Sequence, residues 1–139
     1  MSLADILRNG IERIADDDET KRFFQSFEGE NVVLNLIGDN TVTFTVKDGR
    51  PVVIEGEVPN PTAIAEIDAI EFTRFIDGRE HFGGLMTVEF GGYFQARKGE
   101  FYDLGGDFML LGPVSDRLIK LYREDPEFRD RVDKYKHNK

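Results

Sequence analysis

Cysteine is absent from this chain of 139 residues, tryptophan is absent too, and histidine occurs only twice. A chain without cysteine has no disulfide bond, no thiolate nucleophile and no thiolate metal ligand. That composition fits the reducing environment of the cytoplasm, where disulfides are rare. We therefore expect a cytoplasmic protein that folds around one apolar core.

Positive charge is scarce, because 18 lysines and arginines are set against 27 acidic residues, for a formal net charge of −9. No basic stripe is visible, so we expect no nucleic-acid partner. The same charge argues against adhesion to an anionic membrane surface. No run approaches the roughly 18 apolar residues that span a bilayer, and residues 1–19 lack the pattern of a signal peptide. We expect no stable membrane insertion.

Sequence motifs of catalysis are also missing. The chain contains no dinucleotide-binding, P-loop, nucleophile-elbow or zinc-protease motif. The acidic run Asp16–Glu19 lacks the ligand spacing of a calcium loop and is typical of a helix-capping turn. His81 and the pair Tyr102–Asp103 are interpreted as ordinary polar residues at a helix start and on a strand. We therefore expect a binding protein with no enzyme activity, no metal and no cofactor.

Residues 2–27 show the helical period of 3.6. One apolar stripe follows Ser2, a suitable N-cap, and consists of Leu3, Ile6, Leu7, Ile11 and Ile14. Asp18 is a suitable cap for a second, short helix that carries Phe23, Phe24 and Phe27. The sequence therefore predicts two amphipathic helices before the first strand.

From residue 31 the apolar period changes from 3.6 to 2, which indicates strands. Asp48–Gly49 is a dipeptide that two-residue hairpin turns prefer, because both central positions need positive φ. The short connections favour an antiparallel meander with Thr, Lys and Glu on its solvent face. The four alternating segments are 31–37, 41–47, 51–58 and 62–68.

The second half of the chain returns to helical spacing. Asp68 and Glu71 resemble a capping box for a helix that ends before Gly78. Residues 82–94 keep a helical stripe, although two pairs of glycines interrupt it. The remaining predicted elements are a strand at 100–108 and two helical segments that open at Gly112–Pro113 and Asp125–Pro126.

Apolar side chains are in excess after residue 70, and we interpret this excess as the wall of a cavity, with a simply packed core as the competing interpretation. Each glycine costs a helix interior about 1 kcal/mol relative to alanine, so residues 82–94 can bend or open. Two methionines add adaptable side chains. The expected partner is a lipid or other apolar small molecule. The candidate ligand-binding residues are Phe72, Phe75, Ile76, Phe82, Leu85, Met86, Phe90, Tyr93, Phe94, Phe108, Met109 and Leu118.

The order of these elements resembles the sterol carrier protein type 2 (SCP2) family of lipid-binding domains. The resemblance runs from about Val32 to Leu121 and rests on KDGRPVVIEGE, PTAIAEID, AIEFTRFIDG and GEFYDLGGDF. It implies a single α+β domain over residues 1–139, with a five-stranded, mainly antiparallel sheet, helices packed over one face and an apolar tunnel between the layers. It also implies that Phe72, Phe75 and Ile76 face that tunnel. Residues 80–98 are longer and richer in glycine than the family's usual linking segment.

Two other functions compete with lipid binding. The first is a small enzyme in a cone-shaped α+β fold that acts on an apolar substrate with Asp103 or His81 as its base. The second is an interaction module that forms a homodimer through the aromatic face of residues 82–94. Turnover that is lost in Asp103→Asn would favour the enzyme. A dimer that Phe90→Asp makes monomeric, without loss of fold, would favour the interaction module.

Overall fold

The computed structural model describes residues 2–77, 89–90, 93–94, 101–106 and 110–138, with the backbone alone at Phe75 and at the described positions between 89 and 106. The helices are α1 (Leu3–Ile14), α2 (Asp18–Phe24), α3 (Ala69–Ile76), α4 (Leu111–Glu124) and α5 (Pro126–His137), and a 3₁₀ turn (Gln25–Phe27) follows α2. The strands are β1 (Asn31–Ile37), β2 (Thr41–Lys47), β3 (Arg50–Glu55), β4 (Ala63–Asp68), β5 (Glu89–Phe90), β6 (Tyr93–Phe94) and β7 (Phe101–Gly106).

The first helix begins where the sequence predicts it. Ser2 is extended, and its Oγ accepts a hydrogen bond from the amide of Asp5 at 3.1 Å. A cap of this kind stabilises a helix by about 1 kcal/mol, because it satisfies an amide that has no partner within the helix. The second helix differs from the prediction by one residue: Asp17 takes the cap position without a side-chain bond, and Asp18 is the first helical residue.

Within the described residues, one sheet contains β3, β2, β1, β4 and β7 in that order. The pairs β1–β2, β2–β3 and β4–β7 are antiparallel. The predicted meander is wrong at β4, because β4 pairs in parallel with β1, with Val32 opposite Ala63. The sheet is therefore mixed. The predicted five-stranded, mainly antiparallel sheet is correct for three of the four strand pairs and wrong for the pair β1–β4.

The connection 56–62 accounts for the parallel pair. At its start, the carbonyl oxygen of Gly56 accepts the hydroxyl of Thr43 on β2 at 2.8 Å. At its end, the amide of Thr62 donates to the carbonyl oxygen of Asn31 on β1 at 2.8 Å. The chain thus crosses from β2 to β1 after β3, instead of turning back beside β3. The sequence suggested a short antiparallel connection because Pro59 and Pro61 mark a turn without marking its direction.

The sheet face that lies away from the helices is only partly exposed to solvent. Thr43 and Val33 are opposite each other in register on this face, yet they are 0% and 2% exposed. Thr43 is therefore not a solvated residue, contrary to the prediction for this face. Towards the sheet edge the same face is open, and Val52 and Ile54 of β3 are more than a third exposed.

The core lies between the opposite sheet face and the helices. Alternate residues of β1, β2 and β4 form one apolar cluster with the stripes of α1, α4 and α5. Helix α3 joins the same cluster from the β4 side. The largest fully buried side chains in the described part of the chain are Phe24, Phe44, Phe128, Leu3, Ile6, Leu7, Ile11, Leu34, Leu36, Ile67 and Ile76.

Helices α1 and α5 approach each other closely at Gly10. A Cβ at this position would lie 2.6 Å from Cε1 of Phe128, which is closer than carbon atoms pack. Asp125 begins α5 as predicted: its Oδ1 accepts the amides of Glu127 and Phe128, and Pro126 is the first helical residue. Glycine at position 10 therefore sets the distance between the first and the last helix.

Candidate ligand-binding site

Helix α3 carries the candidate site residues that the structure describes best. Asp68 is extended, and its Oδ1 accepts the amides of Ile70 at 2.9 Å and Glu71 at 3.3 Å. This confirms Asp68 as the predicted N-cap. The helix that follows buries Phe72 and Ile76, which are 4% and 0% exposed, on its side towards the core.

Helix α4 meets this face of α3. Leu118 is 0% exposed and belongs to the same apolar cluster as Phe72 and Ile76. The two helices contact each other, and α3 also contacts β4 and β1. Among the candidate residues with described side chains, Phe72, Ile76 and Leu118 therefore lie in one apolar cluster, on two helices that contact each other.

The other candidates are located by backbone or lie outside the described residues. Phe75 lies on α3, Phe90 on β5, and Tyr93 and Phe94 on β6. The remaining candidates, Phe82, Leu85, Met86, Phe108 and Met109, lie outside the described residues. Their part in ligand binding stays a prediction.

The helix predicted over residues 82–94 is wrong where the backbone is described. Phe90 pairs with Tyr93, and Glu89 pairs with Phe94, in a two-stranded antiparallel ribbon. Gly91–Gly92 separates the two strands in the sequence, and a glycine pair is a strong signal for a two-residue hairpin. The aromatic residues that suggested a helical stripe also have high strand propensity, so the glycines decide between the two structures.

A polar cluster that the sequence analysis did not find lies where α3 ends. Asp77 follows the last helical residue, and its side chain is only 6% exposed. Lys136 Nζ lies 3.0 Å from Asp77 Oδ2 and 3.4 Å from Asp133 Oδ1. Tyr122 donates its hydroxyl to Asp133 Oδ1 at 2.6 Å. Burial raises the pKa of Tyr122 to about 12, and the bond to Asp133 acts in the same direction.

This cluster ties the end of α3 to α4 and α5. A buried carboxylate with a lysine partner avoids the cost of an unpaired buried charge. The i, i+3 spacing of Asp133 and Lys136 is a sequence signal for one of these contacts. Nothing in the sequence connects either residue with Asp77, because the contact spans most of the second half of the chain.

The acidic run Asp16–Glu19 behaves as a capping and pairing segment. Asp16 pairs with Arg50 at 2.8 Å, and Asp17 and Asp18 open α2. Glu19 pairs with two cations of α4, Arg117 and Lys120. The run therefore separates its carboxylates among different partners, and no group of three or more metal-ligating side chains occurs in the described part of the chain.

Comparison with known proteins gives matches in structure only. No protein-family model and no curated protein matches the sequence. A protein described as UbiJ-SCP2 ubiquinone synthesis protein aligns with a TM-score of 0.57 at 14% identity, over 91% of this chain and 98% of its own. Sterol carrier protein 2 aligns with a TM-score of 0.53 at 15% identity, over 86% of this chain and 95% of its own.

A third structure agrees with these two. A conserved hypothetical protein from Thermus thermophilus, whose description suggests a sterol carrier protein, aligns with a TM-score of 0.56 at 14% identity. The alignment covers 89% of this chain and 88% of the other. The chain has an SCP2-like fold.

The SCP2-like fold confirms the resemblance that the sequence suggested. It confirms an α+β architecture with helices over one sheet face, while identities of 14–15% show the fold and nothing finer. In this chain the described helices are all too short or too polar to cross a bilayer. Of the residues considered for catalysis, Tyr102 and Asp103 lie on β7, and His81 lies outside the described residues.

Proposed function

We propose that this SCP2-like chain binds a lipid-like or other apolar small molecule without covalent chemistry, in a hydrophobic cavity between sheet and helices. The observation that carries the proposal is the shared fold with sterol carrier protein 2 and its two relatives. The names of these proteins refer to sterols and to ubiquinone, which are both apolar small molecules. The proposal makes this chain a carrier and not an enzyme.

The proposed position of the cavity rests on where the candidate residues lie in the chain. Helices α3 and α4 contact each other at the β4 side of the core. Phe75 lies on α3, and every candidate residue outside these two helices follows α3 and precedes α4 in the chain. We therefore place the cavity at the α3–α4 side of the core.

Phe72, Ile76 and Leu118 form the described wall of this proposed cavity. Burial of apolar ligand surface contributes about 25 cal/mol per Å², so each 100 Å² adds about 2.5 kcal/mol before the costs of association. A pocket of this type needs few polar groups to hold its ligand. The proposed wall residues beyond these three are Phe75, Phe82, Leu85, Met86, Phe90, Tyr93, Phe94, Phe108 and Met109.

The absence of tryptophan allows a site-specific test. Phe72→Trp introduces a single indole at the proposed wall, and we expect its emission to shift when a long-chain fatty acid is added. Phe27→Trp is the matched control, because Phe27 also packs against the core but belongs to the 3₁₀ turn after α2 and not to α3 or α4. Its emission should not change.

Native mass spectrometry of the purified protein supplies the second measurement. We expect co-purified apolar mass, or uptake of a fluorescent fatty acid that an unlabelled acid displaces.

Circular dichroism must first show that both tryptophan variants keep the fold. Failure of the wild-type chain to hold or take up any apolar ligand would overturn the proposal, and equal spectral shifts in both variants would overturn the position of the cavity.

A further inference from the structure

Glu19, Arg117 and Lys120 form a compact ionic group between α2 and α4. Glu19 Oε1 lies 3.3 Å from Arg117 Nη1, and Glu19 Oε2 lies 2.7 Å from Lys120 Nζ. Each oxygen of one carboxylate thus has its own cation. This is the arrangement that two cations make around a bound carboxylate ligand.

Arg117 is unusual among the described cations because it is 8% exposed while its Nε has no hydrogen-bond partner. A buried donor without a partner costs free energy, so the hydrogen bonds of Arg117 depend on its Nη1 end, where Glu19 now lies. The guanidinium carbon also lies 4.4 Å from the ring centroid of Phe23, which is 40% exposed. The cation therefore has an accessible aromatic ring beside it.

A cleft of about 390 Å³ runs over this side of α4. That volume is within the range of small-molecule sites, about 300–1,000 Å³. The lining side chains include three cations, two carboxylates and one aliphatic group: Arg117, Lys120, Arg123, Asp116, Glu124 and Ile119. Once Glu19 leaves, the cations outnumber the carboxylates, although the chain as a whole carries a charge of −9.

The Glu19 side chain can leave its partners by rotation, because it is 49% exposed and lies in the first turn of α2. Helix α2 itself stays in place, because Phe24 of the same helix is fully buried in the core. The hydrogen bond from Lys120 and the charge of Arg117 hold the pKa of Glu19 below its ordinary value, so the carboxylate stays charged near neutral pH.

We propose that Arg117 and Lys120 form a binding site for the carboxylate head of an acyl ligand, and that Glu19 occupies this site in the ligand-free chain as an internal competitor. The inference rests on the proposed function, because it assigns a head group to the apolar ligand: Arg117 directly precedes Leu118, the α4 residue of the proposed cavity wall. The acyl carboxylate takes the place of the Glu19 carboxylate, and the released Glu19 becomes solvated. Phe23 and Ile119 supply apolar contact beside the head group.

The test compares decanoate with decan-1-ol by titration calorimetry, since these ligands share a chain length and differ in charge. Wild type should prefer the acid. Glu19→Gln removes the internal competitor and should tighten decanoate binding roughly tenfold without changing decanol binding. Lys120→Met keeps an unbranched side chain, removes the cation, and should weaken decanoate binding alone.

Two variants with the same charge change serve as controls. Glu127 also pairs with two arginines, Arg13 and Arg131, so Glu127→Gln removes a comparable carboxylate elsewhere. Lys134 pairs with Asp130 on the surface of α5, so Lys134→Met removes a comparable cation. Neither control should change binding of the acid or of the alcohol.

The outcomes separate the two proposals. Equal affinity for acid and alcohol, or equal effects of Glu19→Gln and Glu127→Gln, would overturn the carboxylate site and leave apolar binding intact. Absence of binding for both ligands in every variant would overturn both proposals. Thermal unfolding of each variant shows that the compared proteins are folded.

Discussion

At the scale of single residues, Asp39 joins both ends of the described chain to the sheet. Its carboxylate accepts the amides of Leu3, Ala4 and Asn40, and the hydroxyl of Tyr135 at 2.8 Å. Partial burial acts to raise the pKa of Asp39, but these donors outweigh it and hold the pKa below its ordinary value of 3.8. Burial raises the pKa of Tyr135, and its hydrogen bond to Asp39 acts in the same direction.

Replacement of Asp39 tests this role. Asp39→Asn removes the charge that four donors share, and we expect a loss of about 1–3 kcal/mol in the free energy of unfolding at pH 7. Urea unfolding measures the loss. Asp130→Asn is the control, because Asp130 is 62% exposed in a surface ion pair with Lys134 and should change stability by less than about 0.5 kcal/mol.

The stability difference between wild type and Asp39→Asn should also depend on pH. Because the pKa of Asp39 is depressed in the folded state, its stabilising effect is complete above the unfolded-state value and is lost as pH falls through the folded-state pKa. The stability difference between wild type and Asp39→Asn should therefore shrink below about pH 4. A difference that stays constant from pH 7 to pH 3 would contradict a role for the Asp39 charge.

At the scale of secondary-structure elements, the contact of α1 with α5 depends on a missing side chain. Alanine is favoured over glycine in a helix by about 1 kcal/mol, so helix propensity alone would select alanine at position 10. The ring of Phe128 and the side chain of Leu121 occupy the space that a Cβ would need. Packing between helices therefore outweighs propensity within α1.

Gly10→Ala should consequently destabilise the chain, by about 1–3 kcal/mol, because either the Phe128 ring or α1 must move. Thermal unfolding measures the change. Asn9→Ala, at the neighbouring and partly exposed position, is the control and should be neutral or slightly stabilising. Phe128→Leu should reduce the cost of Gly10→Ala in a double-mutant cycle, and strictly additive effects would refute the proposed clash.

At the scale of the whole molecule, the sequence predicts local features well and distant pairings poorly. The caps Ser2, Asp68 and Asp125 were predicted because a cap and its helix are adjacent in the chain. The pairing of β4 with β1 was not, because strand periodicity gives a face and not a partner. The site follows the same pattern: burial of Phe72 was predictable, whereas Glu19 and Arg117 meet only in the folded chain.

The net charge of −9 leads to a prediction for the intact protein. Anionic vesicles repel an acidic surface, so we expect no more co-sedimentation with phosphatidylserine-containing vesicles than with neutral ones at low salt. Lipid transfer would then depend on protein partners. Salt-sensitive binding to the anionic vesicles would contradict this expectation.

The homodimer through residues 82–94 also stays a prediction. Sedimentation of wild type and of Phe90→Asp tests it.

The packing of α1 against α5 has a consequence during synthesis on the ribosome. Helix α1 is synthesised before α5, so its contacts with α5 form only once α5 has been made. Until α5 is released, the side of α1 around Gly10 lacks the Phe128 ring, and Asp39 lacks the hydroxyl of Tyr135. We therefore expect nascent chains that stall before Asp125 to leave this part of α1 accessible to chaperones and proteases.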